Sequence, residues 1–304
     1  MEKVMKKSLL FLSENAFFTK IAKKYGLQYG ASRYVAGETI HHATKVIKSI
    51  NEKGFKVTID HLGEFVEDRL EADENADECI VAIKEIASKE LDSQVSLKLT
   101  SIGLDISEKV ALDNMNRIMK VAEEYKVFVT IDMESYSRCH STIELYKKLK
   151  SRYENIGTVI QAYLHRSESD IVELNSLSPN LRLVKGAYKE SHYVAFPKKK
   201  DVDDNFQKII CMHLLNDNFT AIASHDDRII DFTKTFVQNN NIPKEQFEFQ
   251  MLYGICKERQ QQLLEEGYQV RVYLPYGKDW YGYLMRRMAE RPANVQFVLK
   301  GMFK

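Results

Sequence analysis

The stretch FKVTIDHLGEFVEDRLEADENADECIVAIKEIASKELDSQVSLKLT, residues 55–100, holds two short β-branched and apolar runs, FKVTID (55–60) and QVSLKLT (94–100). The long charged segment between them carries apolar residues at steps of three and four, as the buried stripe of an amphipathic helix requires. The stretch therefore reads as strand, helix, strand.

The same unit keeps returning along the chain. Further short runs are VFVTIDM (127–133), TVIQAYL (158–164), LRLVKGAY (181–188), TAIASHD (220–226), FEFQMLY (247–253) and VRVYLPYG (270–277). Segments such as SEKVALDNMNRIMKVAEEY (107–125) lie between them with helical periodicity. Eight strand–helix alternations, with few prolines and no Gly/Ser-rich linker, predict an α/β fold: a parallel sheet closed into a (β/α)8, TIM-type barrel. A two-domain doubly wound protein is the second reading. Residues 1–54, including FFTKIAKKYG (17–26) and HHATKVIKSINEKG (41–54), read as N-terminal helices packing on a barrel that spans 55–304.

Composition narrows the class. A chain of 304 residues with 44% hydrophobic and 29% charged residues is globular, and a net charge of +1 gives no whole-chain reason to expect nucleic acid. The opening MEKVMKKSLLFLSENAFF has the lysines of a signal peptide, but Ser13-Glu14-Asn15 interrupts too short an apolar core, so a cytoplasmic protein is expected. No apolar run reaches membrane-spanning length, which leaves only peripheral membrane contact. Cys79, Cys139, Cys211 and Cys256 are scattered without a CxxC pair and read as reduced and structural. Cys139-His140, Cys211 with His213, and His41-His42 lack the spacing of a metal site, and no metal is expected.

In a barrel of this kind the chemistry gathers where the strands end. Here those ends are polar: Asp60, Glu64, Lys98, Asp132, Glu134, Gln161, Arg182, Lys185, Tyr188, Ser224, His225, Asp226, Gln250, Tyr253, Tyr273 and Tyr276. Lys98 follows VSL inside an apolar strand, where an unpaired ammonium would be costly, and Asp132 or Glu64 on neighbouring strands could pair with it. Arg182 and Lys185 fall on opposite faces of RLVKGAY, ahead of Gly186, which lets backbone approach a ligand. His225 in SHD reads as a ligand contact. In GYLMRRMAERPAN (282–294), a helix after the eighth strand carries the adjacent Arg286 and Arg287, with Tyr283 before them and Glu290 placed to hold one guanidinium. Paired guanidinium forks suit a small carboxylate, while a solvated basic face is the alternative.

Four of these segments, VSLKLTSIG (95–103), FVTIDME (128–134), RLVKGAY (182–188) and YLMRRMAERPAN (283–294), resemble in order and content the signature segments of FAD-dependent proline dehydrogenase in its short monofunctional form. The resemblance runs from about Asp60 to the C-terminus and implies a distorted (β/α)8 barrel preceded by N-terminal helices. It implies that Arg286 and Arg287 bind the carboxylate of L-proline, with Lys98 as a further contact and Glu290 and Glu64 in support. Asp132 corresponds to an active-site residue linked to Lys98, and Tyr273, Tyr283, Tyr188 and Leu183 to positions lining the proline ring. Arg182 corresponds to an arginine beside the reactive flavin nitrogen. Met133, Gln161, Lys185, Gly186, Ala187, Ser224 and His225 match FAD contacts. The implied reaction passes a hydride from proline C5 to FAD N5, gives Δ1-pyrroline-5-carboxylate and sends the electrons on to a membrane quinone, so a peripheral encounter with the inner face of the membrane is expected. Two departures stand out: Ser224-His225-Asp226 where the family has Thr-His-Asn, and Lys189 where an aromatic is frequent.

Two other classes share the residues. A Schiff-base lyase would use Lys185 as nucleophile, and a catalytically idle barrel would bind an amino acid or a partner without turnover.

Overall fold

The computed structural model describes residues 31–290, with side chains through Met285. FFTKIAKKYG and the side chains of Arg286, Arg287 and Glu290 lie outside the described residues. A 3-10 turn, Ala31–Arg33, leads to helix α1 (Ile40–Asn51). Eight strands follow: β1 (Lys56–His61), β2 (Ser93–Leu97), β3 (Val129–Ile131), β4 (Ile156–Gln161), β5 (Asn180–Val184), β6 (Thr220–Ala223), β7 (Phe247–Leu252) and β8 (Val270–Tyr276). After each comes a helix, in order α2 (Arg69–Ser88), α3 (Glu108–Glu124), α4 (Tyr136–Lys150), α5 (Ser167–Leu174), α6 (Lys199–Leu214), α7 (Asp227–Asn239), α8 (Lys257–Glu265) and α9 (Trp280–Glu290). The strands are parallel, pair in sequence order, and close when β8 pairs with β1.

All eight anticipated runs form strands, but several stop earlier than their apolar pattern does. β2 ends at Leu97, and Lys98 begins a 3-10 turn over Leu99–Ile102, so Lys98 is not inside a strand. β3 stops before Asp132, although the Asp132 amide still donates to the Leu97 carbonyl at 2.8 Å and so keeps the strand direction. β5 stops before Lys185. The apolar pattern continues because Leu99 and Met133 stay buried after the ladder has ended.

Alternation divides each strand between two cores. Val57 and Ile59, Val95 and Leu97, Val129 and Ile131, Leu181 and Leu183, and Val270, Val272 and Leu274 face the helices in one continuous apolar layer. Burying each such side chain contributes about 1.5–3 kcal/mol before the entropy of ordering it is set against this. The other face of the strands lines the barrel, and it is polar rather than aliphatic. Gln94 donates to Thr58 at 2.8 Å, Gln250 to Glu248 at 2.7 Å, and Arg271 to Glu248 at 2.6 Å and to the Val57 carbonyl at 2.8 Å. A lower cavity of about 230 Å³ remains among Gln94, Thr130, Arg182, Glu248 and Arg271. Barrels of this kind are ordinarily filled by branched aliphatics; here the interior supports charged groups.

Helix starts follow their caps. Asp68 accepts from the Glu71 amide at 3.0 Å and Ser107 from the Val110 amide at 3.2 Å, supplying orphan donors of the first turn. The stretch before β1 belongs to the same body. Ala43, Ile47 and Ile50 of α1 enter the main core, and Tyr34 and Val35 pack with Leu62, Trp280, Tyr281, Tyr283 and Leu284 in a second cluster. Backbone bonds from Ala36 to the Pro275 carbonyl (2.9 Å) and from Gly277 to the Gly37 carbonyl (3.0 Å) tie this stretch to the end of β8.

Candidate active site

A cavity of about 520 Å³ opens at the C-terminal ends of the strands, within the size range of small-molecule and cofactor sites. Its wall collects residues from every strand end. Asp60, Lys98, Asp132, Gln161, Arg182, Gln250 and Tyr273 form the polar floor, and Tyr34, Tyr188, Tyr253, Tyr283 and Leu284 supply aromatic and apolar sides.

The floor is organised around Asp132. Its Oδ1 accepts from Ser96 Oγ at 2.7 Å and from Arg182 Nη1 at 2.6 Å; its Oδ2 accepts from the Tyr273 hydroxyl at 2.8 Å. The Arg182 guanidinium also sits 5.2 Å from the centre of the Tyr273 ring. Burial alone would raise the Asp132 carboxyl, but Arg182, then Lys98, and the donated hydrogen bonds outweigh it and hold the group below the usual carboxylate range. Burial, reinforced by the charges of Asp132 and Asp60, pushes the Tyr273 hydroxyl well above an ordinary phenol, so it stays protonated and donates.

Lys98 takes a different first partner from the expected ones. Its Nζ lies 3.0 and 3.2 Å from the two oxygens of Asp60 and 3.8 Å from Asp132. Glu64 lines the cavity from the loop after β1 and adds to the field on Lys98. Burial works against the charge on Lys98, yet Asp60 and Asp132 more than offset it and raise the group above a free lysine. The pairing arises from register: Asp60 sits beside Ser96 on the neighbouring strand, and Lys98 lies two residues beyond, on the same face.

A second charged cluster is built around Lys185, which lines the cavity. Lys185 Nζ is 2.5 Å from Asp203 and 2.7 Å from Asp226, and Lys199 pairs with the same two carboxylates. Asp226 also caps α7 through the Arg228 amide at 3.1 Å. Despite partial burial, Lys185 and Arg228 hold the Asp226 carboxyl far below its ordinary range. Asp226, one of the departures noted in the sequence, is an ion-pair partner of Lys185. Two carboxylates on Lys185 suit an anchored cation and leave the amine poorly placed to attack a carbonyl.

Gly186 follows with φ +104°, and a Cβ there would come within 2.1 Å of the Tyr163 ring. Only glycine lets the chain turn at this point while lying against Tyr163. Ser224 Oγ accepts from the Asp226 amide at 3.1 Å, and His225 Nε2 accepts from the Leu252 amide at 3.0 Å, which leaves its Nδ1 to carry the proton. Gln161 donates to the Met133 carbonyl at 3.3 Å. Met133, Gln161, Lys185, Gly186, Ala187, Ser224 and His225 all line the cavity.

Most of the expected residues therefore meet at one place. Leu183 does not. It is fully buried in the core behind the barrel, because its neighbours Arg182 and Val184 take the inward positions of β5. Tyr276 likewise packs at 1% exposure beside His61 and lies outside the cavity wall. Tyr34 joins the wall with no signal in its surroundings that could have marked it. Ser96 could have been found, since it shares a face with Lys98. Arg286, Arg287 and Glu290 fall on the backbone of α9, which follows β8 and places Tyr283 and Leu284 at the cavity.

A parallel eight-stranded barrel with buried ion pairs under a wide mouth defines a (β/α)8 enzyme built to hold a sizeable ligand over a charged floor. The chain belongs to the proline dehydrogenase family, whose characteristic sequence matches residues 43–300. It is 56% identical to Proline dehydrogenase 1 of Bacillus subtilis (strain 168) over 295 residues, covering 97% of this chain and 98% of that one. It is 42% identical to Proline dehydrogenase of Deinococcus radiodurans over 308 residues, covering 100% and 99%. Its fold is similar to the crystal structure of proline utilization A (PutA) from Bdellovibrio bacteriovorus inactivated by N-propargylglycine, with a TM-score of 0.82 and 27% identity, over 93% of this chain and 34% of that much longer one.

Proposed function

We propose that this protein oxidises L-proline to Δ1-pyrroline-5-carboxylate with FAD as its cofactor, the first step in breaking proline down to glutamate. The observation that carries the reading is the Arg182–Asp132–Tyr273 network on the cavity floor, in a chain of the proline dehydrogenase family.

The residues present fit a flavin. Arg182 keeps buried Nε and Nη2 donors and Gln161 a buried Oε1 acceptor without protein partners, and both residues line the cavity. Gly186 offers backbone where a side chain would collide. Lys185, Gly186, Ala187, Ser224, His225, Met133 and Gln161 would hold the cofactor, with Arg182 beside its reacting edge. When bound, FAD supplies the acceptor for the hydride that leaves proline C5.

The chain's own residues do the rest. Lys98, Arg286 and Arg287 would grip the substrate carboxylate, and Glu290 and Glu64 would support those cations. Tyr188, Tyr273 and Tyr283 would enclose the ring and exclude water, holding C5 in line. Asp132 fixes Arg182 and Tyr273 by accepting from both, which makes it the anchor of the site. Leu183 acts from behind as packing for the strand that carries Arg182.

The electrons then pass to a quinone, and a peripheral encounter of a cytoplasmic protein with the inner face of the membrane would deliver them. Among the described residues no helix is long and apolar enough to cross a membrane. The test is product trapping: protein, L-proline and a soluble quinone analogue should form the cyclic imine, detected as its o-aminobenzaldehyde adduct. Quinone reduction without adduct would reject the reading.

A further inference from the structure

We propose that Glu190 is a positioning residue for the substrate: it caps helix α4 from the loop after β5 and so holds Tyr188 over the ring of bound proline. The proposal rests on the proline oxidation argued above and adds to it a residue outside the cavity wall.

The first turn of a helix leaves its amides without partners inside the helix. In α4, Ser135 stands at the N-cap position but makes no side-chain bond to them. The Tyr136 amide instead donates to Glu190 Oε1 at 2.8 Å, from a residue 54 positions away in the chain. A carboxylate suits that place, because the N-terminal end of a helix carries partial positive charge.

The loop that carries Glu190 is fixed at both ends. The Tyr163 amide donates to the Lys185 carbonyl at 2.9 Å, the Phe196 amide to the Tyr163 carbonyl at 2.8 Å, and the His165 amide to the Val194 carbonyl at 3.0 Å. Between those ends the chain carries Ala187 and Tyr188 along the cavity. His165 Nε2 meets the His192 carbonyl at 3.1 Å, which again ties the loop to its neighbour after β4. The Glu190 bond goes further, to the helix that follows β3. It repeats above the floor the tie that Arg182 makes with Asp132, since each joins the β5 unit to the β3 unit across β4.

Tyr188 lies in the chain between those two ties. Its ring packs half-buried against the core, and burial, then the charges of Glu134 and Glu64, raise its hydroxyl above an ordinary phenol, so it stays protonated. Lys98 and Asp132 act on the same hydroxyl, which places it toward the charged floor. A substrate that needs this roof closed binds with an affinity reduced to the fraction of molecules in which it is closed. Glu190 therefore acts on substrate affinity and leaves the chemical step alone.

The experiment uses flavin-loaded wild type and three variants. Glu190→Ala removes the acceptor, Glu190→Gln keeps an accepting oxygen, and Tyr136→Pro removes the donated N–H at the first helical position, where proline is well tolerated. Glu190→Ala and Tyr136→Pro should each raise KM for L-proline about fivefold, the factor a typical helix cap is worth. Their kcat should stay within about twofold of wild type, and their flavin content should not change. Glu190→Gln should recover most of the lost affinity. A second readout needs no turnover. Tyr136→Pro leaves the sequence around the exposed Lys189 intact, and trypsin should cut after Lys189 about fivefold faster than in wild type, in proportion to the opened fraction. This variant decides the matter if the alanine variant does not fold.

A wild-type KM in the two disrupting variants, even with lowered thermal stability, would make Glu190 a helix cap alone and overturn the proposal. So would a loss confined to kcat, a loss of flavin, a glutamine variant as impaired as the alanine one, or unchanged cleavage after Lys189. A wild-type protein that forms no product from proline would instead reject the function itself, and the trypsin comparison would still decide the tether.

Discussion

Arg182 on β5 reaches past β4 to Asp132 at the end of β3, closing to 2.6 Å between Nη1 and Oδ1 with both side chains largely shielded from water. The pair joins two strands that are not neighbours in the barrel and fixes a cation on the cavity floor. Its worth lies in position, because a buried ion pair contributes little net stability over an apolar pair of the same shape.

Removing one partner is a different matter. Asp132→Ala takes an acceptor from the Arg182 guanidinium and the Tyr273 hydroxyl and removes a charge 3.8 Å from Lys98, and should cost about 3–5 kcal/mol of unfolding free energy. Urea denaturation measures it. A loss under about 1 kcal/mol, the range of an exposed pair, would mean that the floor is far wetter than its burial implies.

Gly186 carries the second prediction. With φ at +104° and Tyr163 2.1 Å from where a Cβ would stand, Gly186→Ala must shift either the β5–α6 loop or the tyrosine ring. The strained backbone costs on the order of 1–3 kcal/mol, and the shift moves Lys185 and Ala187 with it. Purified Gly186→Ala should carry less flavin than wild type, read from its absorbance ratio. Full occupancy would remove this turn from the cofactor site.

His213 makes the third, away from the site. It is fully buried in the last turn of α6, and desolvation lowers its pKa from 6.5 to about 4. The unfolded chain therefore binds a proton between pH 6.5 and 4 that the folded protein refuses. Stability from this residue is complete above pH 6.5 and falls as pH drops toward 4, by about 3 kcal/mol in all. His213→Leu should flatten that part of the curve of stability against pH. A decline as steep as wild type over the same range would place the acid sensitivity elsewhere.

These residues also mark how far the sequence could be read. The eight strands were legible because each carries a short β-branched or aromatic run bounded by charged helical segments, and Asp132, Arg182, Lys185 and Tyr273 were legible because strand ends in such a barrel share one mouth. The partner of Lys98 was not. Asp60, Asp132 and Glu64 all end or follow neighbouring strands, and only the register that sets Asp60 beside Ser96 selects among them. Leu183 shows the opposite limit: a motif match carried it to the substrate, while strand alternation turns it into the core. Tyr34 was hidden because its place at the cavity depends on backbone bonds between residues 36–37 and 275–277.

The most direct test of the account is the visible spectrum of the purified protein under anaerobic conditions, before and after L-proline. The expected result is a flavin absorbance that bleaches on addition of proline and returns on addition of a quinone analogue. A flavin-loaded protein whose spectrum proline leaves oxidised would contradict it.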